Sequence, residues 1–256
     1  MRALKGERIA VAALSLALFA LGGTAHRASR MDRLPRVTVW AWERREDLRA
    51  IDPATTAVAW LDRTVVVDAR GLAVVPRRQA MLLPASAGLV RITVVRVETG
   101  RGATLNDDSA QEVAEAIAQA AAPDAAALQV DFDAKQSERQ WYASVLRRVR
   151  AQMPKGMPLS ITALASWCSY DGGWLERLPV DEAVPMLFRM EPDRRRLGVS
   201  GWGAGDFAIR EPLCMGSVGI STTEAWPPDL AQRRVYVFAD RGWNRDGLQP
   251  TVRSLE

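Results

Sequence analysis

Histidine is almost missing from this chain, with His26 alone among 256 residues. It precedes every core-like segment, so a Ser-His-Asp or Cys-His catalytic system has no credible base and a zinc site lacks its usual ligands. Cysteine is nearly as scarce: Cys168 and Cys214 are the whole complement. In an oxidising compartment such a pair points to one disulfide closing a long loop, with two buried, unlinked thiols as the alternative. The longest apolar run, Ile9 to Leu21, is short for a bilayer span. The formal charge of +4 is small, and half of it comes from Arg2, Lys5 and Arg8 set against Glu7, so nucleic-acid binding has no support. The densest basic cluster, Arg194-Arg195-Arg196, lies beside Glu191 and Asp193 and reads as a solvated loop. Gly201-Trp202-Gly203-Ala204-Gly205 lacks the spacing and the strand-to-helix setting of a nucleotide loop.

What is present begins with an export signature. The basic start, the apolar run and the small residues Gly23-Thr24-Ala25 read as residues 1–25 forming a signal peptide or N-terminal anchor. Residues 26–36 then read as a linker and residues 37–256 as a single domain. The expected location is periplasmic or secreted; the alternative is an inner-membrane anchor facing the periplasm, with membrane association through the uncleaved segment. At 48% hydrophobic and 25% charged, the chain has the composition of a globular protein with a stable core.

Short β-branched runs recur along that domain. They predict strands near Val37 to Trp42, Thr56 to Leu61, Val90 to Val97, Ala127 to Asp133, Leu159 to Ala165, Ala183 to Arg189, Ser217 to Ser221 and Val235 to Ala239. Helices are predicted from Asp108 to Ala121, from Ser137 to Gln152 with Ser137 as the cap, and more briefly from Arg45 to Ile51. Eight strands alternating with helices define an α/β class, a (β/α)8 TIM-type barrel, distorted or incomplete because the domain is short. Thr64 to Pro76 reads as a β-hairpin inserted after the second strand.

In such a barrel, ligands meet the carboxyl ends of the strands. Gln129-Val130-Asp131-Phe132-Asp133-Ala134 is the most informative stretch, because alternation puts Gln129, Asp131 and Asp133 on one face and Val130 and Phe132 on the other. Two adjacent carboxylates at a strand end repel and raise each other's pKa, which suits proton-transfer chemistry or a cation better than mere solvation. Other polar candidates for the rim are Glu43, Asp62, Glu98, Arg189, Glu224 and Asp240. Nine tryptophans stand against three tyrosines, and Trp40, Trp42, Trp60, Trp167, Trp226 and Trp243 fall near predicted strand ends. Indole faces suit sugar rings, although half of these are expected in the core.

Four segments carry a family resemblance: Val39-Trp40-Ala41-Trp42-Glu43, Gln129 to Ala134 with Ser137-Glu138-Arg139, Leu159 to Cys168, and Asp181 to Met190. They look like the bacterial domain-of-unknown-function family 3142. The resemblance covers most of the domain and implies similarity to barrel glycoside hydrolases. A remoter likeness is to chitinase-like barrels, whose fourth strand ends in alternating acidic residues; here Gln129 is not acidic and Asp133 is a methylene shorter than the glutamate acid of those enzymes.

The resulting expectation is an exported, glycoside-hydrolase-like protein acting on a polysaccharide or cell-envelope glycan by carboxylate general acid catalysis, without a cofactor or metal. Asp131, Asp133, Glu98 and Glu224 are the candidate catalytic groups. Trp40, Trp42, Glu43, Trp167, Arg189 and Trp243 are the candidate substrate-binding groups. The alternatives are a non-catalytic glycan-binding or envelope-assembly protein, and a calcium or magnesium site on Asp131 and Asp133.

Overall fold

Each of the eight predicted strand segments forms a strand, and all eight are parallel. The computed structural model describes residues 29–85, 88–169, 171, 173–189 and 208–255. The ring runs β1 (Val37–Ala41), β3 (Thr56–Asp68), β6 (Arg91–Thr99), β7 (Ala127–Asp131), β8 (Leu159–Leu164), β9 (Glu182–Met186), β10 (Ser217–Ser221) and β11 (Arg234–Phe238). β11 pairs back onto β1, closing the barrel. Closure leaves no free edge within the ring, so every strand's backbone groups are matched on both sides.

Alternation sorts the side chains into two layers. Trp40, Ala59, Leu61, Ile92, Val94, Val184, Tyr236 and Phe238 pack inside the barrel. The intervening residues, such as Val95, Val130, Ile161 and Ala183, face outward against α1 (Asp107–Ala118) and α2 (Arg139–Gln152). Both helices follow their apolar stripes; α1 is capped by Asn106, whose side chain accepts from the Ser109 amide at 2.9 Å. Gly219 has no side chain because a Cβ there would lie 3.2 Å from both Met186 Sδ and Phe238 Cε2. Among the described residues, the rest of the helical shell is the five-residue α3 (Ala165–Ser169) after β8 and α4 (Arg245–Arg253) after β11.

Three expectations are corrected. Arg45 to Ile51 is not helical: Glu46–Asp47 forms β2, paired in parallel with β5 (Met81–Leu82), so a tertiary partner overrides the local propensity. The hairpin expected over Thr64 to Pro76 is present, with β3 continuing into it and turning through Ala69-Arg70 to β4 (Gly71–Pro76). A register shift between Leu61 and Arg63 leaves Asp62 as the extra residue where barrel passes into hairpin. Ser137 does not cap α2; it is exposed, and Glu138 closes the preceding turn by accepting from the Lys135 amide at 2.8 Å. Finally, residues 29–36 do not behave as a free linker. Ser29 caps a short turn, Met31 is buried, Arg30 pairs with Asp181 at 3.0 Å, and Leu34 packs against the lumen cluster from the amino-terminal end.

Cys168 and Cys214 are bonded, with Cα atoms 5.8 Å apart. Closing a loop of 46 residues stabilises the fold by roughly 4 kcal/mol on the chain-entropy account. Residues 1–25, His26, the Arg194 cluster and the Gly201 segment lie outside the described residues. No helix among the described residues is long and apolar enough to cross a membrane.

Candidate active site at the barrel mouth

The fourth barrel strand, β7, ends at Asp131, and the predicted alternation holds along it. Val130 and Phe132 turn outward into the helix layer, where Phe132 meets Tyr142 edge-on with ring centroids 5.1 Å apart. Gln129 and Asp131 turn into the lumen, and their surroundings differ with depth.

Gln129 belongs to a closed network. Its Oε1 accepts from Trp40 Nε1 at 2.8 Å, and its Nε2 donates to Ser160 Oγ at 3.0 Å. Ser160 donates to Glu182 at 3.1 Å, and Glu182 also takes Tyr236 OH at 2.8 Å and Arg234 at 2.6 Å. Strand register builds this chain of contacts, since Gln129 lies beside Ser160 and Ser160 beside Glu182 on adjacent strands. Both Glu182 and Gln129 are fully enclosed, so the network holds the barrel floor and is closed to a ligand.

Asp131, one step higher, is also buried, but its partners lead outward. Thr162 Oγ1 donates to Oδ1 at 2.7 Å, and Arg96 Nη1 donates to Oδ2 at 2.8 Å. Arg96 sits directly across the β6–β7 register from Asp131. Its Nε donates to Glu98 at 2.8 Å, and its guanidinium lies 5.6 Å from the Trp42 ring centre. One arginine thus joins Asp131, Glu98 and an indole. Burial pulls the Arg96 pKa down, but the surrounding carboxylates, Asp131 first, raise it overall, so its charge is secure.

Asp133 comes just beyond the strand, exposed at the mouth, with no hydrogen bond or ion pair among the described residues. Solvent reaches it, yet protein crowds it on several sides. Partial desolvation first, and the negative charge of Asp131 second, raise its carboxyl pKa against the opposing pull of Arg96. Two carboxyls from one strand end are therefore in unlike states: one compensated by a cation, the other without a partner and with its proton held more tightly.

Among the tryptophans of the described residues, only Trp42 serves the mouth. It is half-buried, 4.2 Å from the Trp40 ring and 6.2 Å from Phe238, and Phe188 completes the aromatic group through Phe238. Trp40 is fully buried beneath it. Trp167 lies in the outer layer against Trp174, and Trp243 is buried with its Nε1 donating to the Trp40 carbonyl at 2.9 Å. These three present no open face, which removes them from ligand stacking and assigns them to packing. Trp60 and Trp226 are half-buried; Trp60 lies under Arg91, and Trp226 donates to the Ser221 carbonyl at 2.8 Å.

The remaining candidates divide. Glu43 is exposed but accepts from the amides of Arg78 and Gln79 at 2.9 and 3.0 Å, pinning the chain after the hairpin. Glu224 accepts from the Arg189 amide at 2.8 Å, three strands round the ring from Asp131. Arg189 takes a left-handed conformation with φ of 53° and pairs with Asp240. Asp62 pairs with its neighbour Arg63. Between Trp42, Phe188, Arg189, Phe238 and Asp240 the mouth holds a recess of only about 40 Å³. No group of three or more His, Cys, Asp or Glu side chains among the described residues is arranged to hold a metal ion.

Three contributors escaped the sequence reading. Arg96 and Glu182 are charges set in largely apolar strands, and only the register shows what each faces. Glu46 is buried below the rim, where desolvation raises its pKa despite the Trp243 amide and the charges of Arg44 and Arg77. The alternation of Arg96 with Glu98 was the one available signal.

Comparison with known proteins yields no matching family model, no matching curated protein and no matching solved structure. The class defined by fold and mouth is a parallel eight-stranded α/β barrel with a divergent carboxyl pair at the end of its fourth strand.

Proposed function

We propose that this protein is a glycoside-hydrolase-like enzyme that cleaves a polysaccharide or cell-envelope glycan at the carboxyl end of the barrel. The observation that carries the reading is the unlike surroundings of Asp131 and Asp133, the first buried against Arg96 and Thr162 and the second open at the mouth, because such a difference suits one carboxyl to charge stabilisation and the other to proton donation. Asp133 keeps its proton and donates it to the leaving oxygen. Asp131, balanced by Arg96 and Thr162, stabilises developing positive charge. Glu224, round the ring, activates the attacking group from the opposite side, while Glu98 orients Arg96. Trp42 offers the sugar ring a flat face. The resemblance to family 3142 points the same way, as does the export signature, which places the protein in the periplasm or outside the cell.

The shallow mouth favours a second reading, a glycan-binding or envelope-assembly protein without turnover. One experiment decides between them: release of new reducing ends from a panel of envelope and capsule glycans by the wild type and by Asp133→Asn. Turnover by the wild type and a loss of at least 100-fold in the variant support the enzyme. Equal sugar binding by both proteins with turnover by neither sinks it in favour of the binding protein.

A further inference from the structure

A broad concavity lies beside the mouth, on the outer face of the barrel. It is a groove of about 840 Å³ between the amino-terminal end of α1, the exposed face of α2 and the turn around Gly173 to Arg177. It begins at Ser137, four residues past Asp133, so a chain lying across the mouth and running outward over α2 would enter it.

Its chemistry is uneven. Gln140, Ser144 and Arg147 recur at i, i+4 and i+7 on one face of α2, and the small Ala143 and Ser144 keep the middle of that wall low. Half-buried Trp174 supplies aromatic surface, whereas Trp141, at the same wall, is buried. The carboxylates at its edges are already matched, Asp107 by Arg148 at 3.1 Å and Asp171 by Arg139. Arg147 and Arg177 are exposed and have no carboxylate partner among the described residues, and Glu176 does not line the groove. Two unmatched guanidiniums therefore face an indole-bearing trough. Guanidinium groups bind carboxylates in a fork geometry, and an indole favours the apolar face of a sugar ring over a flexible acidic side chain.

We infer that this groove is a binding site for the extended part of an acidic glycan, one whose sugar rings carry carboxylates, with Arg147 and Arg177 as its anion contacts. The inference rests on the mouth being a glycan-processing site and names the class of glycan. Gly173 gives a charge-neutral way to block the groove, because a side chain built there meets nothing within 4 Å.

The test is binding of the full exported chain to polygalacturonate, dextran and poly-glutamate, by calorimetry at several salt concentrations. The wild type is expected to bind polygalacturonate, more weakly as salt rises, and to ignore dextran. Arg147→Glu with Arg177→Glu, and separately Gly173→Phe, should each weaken binding at least tenfold. Dextran bound as well as polygalacturonate, or charge reversal without effect, overturns the assignment; poly-glutamate bound equally well, with the same sensitivity to the variants, overturns it in favour of an acidic peptide. Failure of the mouth reads differently: glycan binding then survives in all but the groove variants, with no turnover that depends on Asp133.

Discussion

The floor and the mouth of this barrel are built from the same alternation of the same strands, yet they treat carboxylates in opposite ways. At the floor, Glu182 meets Arg234, Tyr236 and Ser160, and the chain of partners continues through Gln129 to Trp40. At the mouth, Asp131 has Arg96 and Thr162, and Asp133 has no partner. Low in the lumen a bare charge would cost several kcal/mol, and both carboxylate oxygens of Glu182 are drawn into the network. High in the lumen, water can take part of that role, and an unmatched carboxyl survives. The difference shows that depth and cross-strand register, more than residue type, set the chemistry of an acidic side chain.

The comparison can be broken at its strongest point first. Glu182→Ala leaves Arg234 buried without its counter-charge and should cost about 3–5 kcal/mol in chemical denaturation. A loss below about 1 kcal/mol would show that the floor does not depend on this carboxylate. Arg96→Met acts one layer higher and strands Asp131, with water close enough to soften the effect; about 2–3 kcal/mol is expected. The same variant removes the one cation that lowers the Asp133 pKa, so the alkaline limb of the activity profile, where the general acid loses its proton, should move further up.

The smallest effect tests the mouth directly. Asp133 has a folded-state pKa above its unfolded value, so it binds its proton more tightly in the folded chain. Its favourable contribution is full below the unfolded pKa and is lost as pH rises through the folded value. Asp133→Asn should therefore match the wild type at low pH and become slightly more stable above that window, by no more than about 0.5 kcal/mol given its exposure. Melting curves at a series of pH values measure this. A variant less stable at neutral pH would mean that Asp133 has a structural partner.

Much of this was legible along the chain because it depends on local pattern. Each strand segment carries its β-branched run, Val130 and Phe132 against Asp131 follow the period of two, and the lone cysteines had only each other. The helix expected at Arg45 to Ile51 failed because Glu46–Asp47 found Met81–Leu82, a partner 35 residues away along the chain. The tryptophans misled for a related reason: indoles near strand ends look alike in sequence, whereas Trp40 points down the lumen, Trp167 into the helix layer and Trp42 alone toward the mouth.

By itself the sequence determined the parallel barrel and the inward face shared by Gln129 and Asp131, since these rest on residue type and on the short periods of the backbone. Only the tertiary structure decided that Arg96 compensates Asp131, that Asp133 stays without a partner, that Glu182 closes the floor, and that Arg147 and Arg177 share a groove. These pairings join residues far apart in the chain, and their energies depend on burial and on which side chains closure of the ring brings face to face.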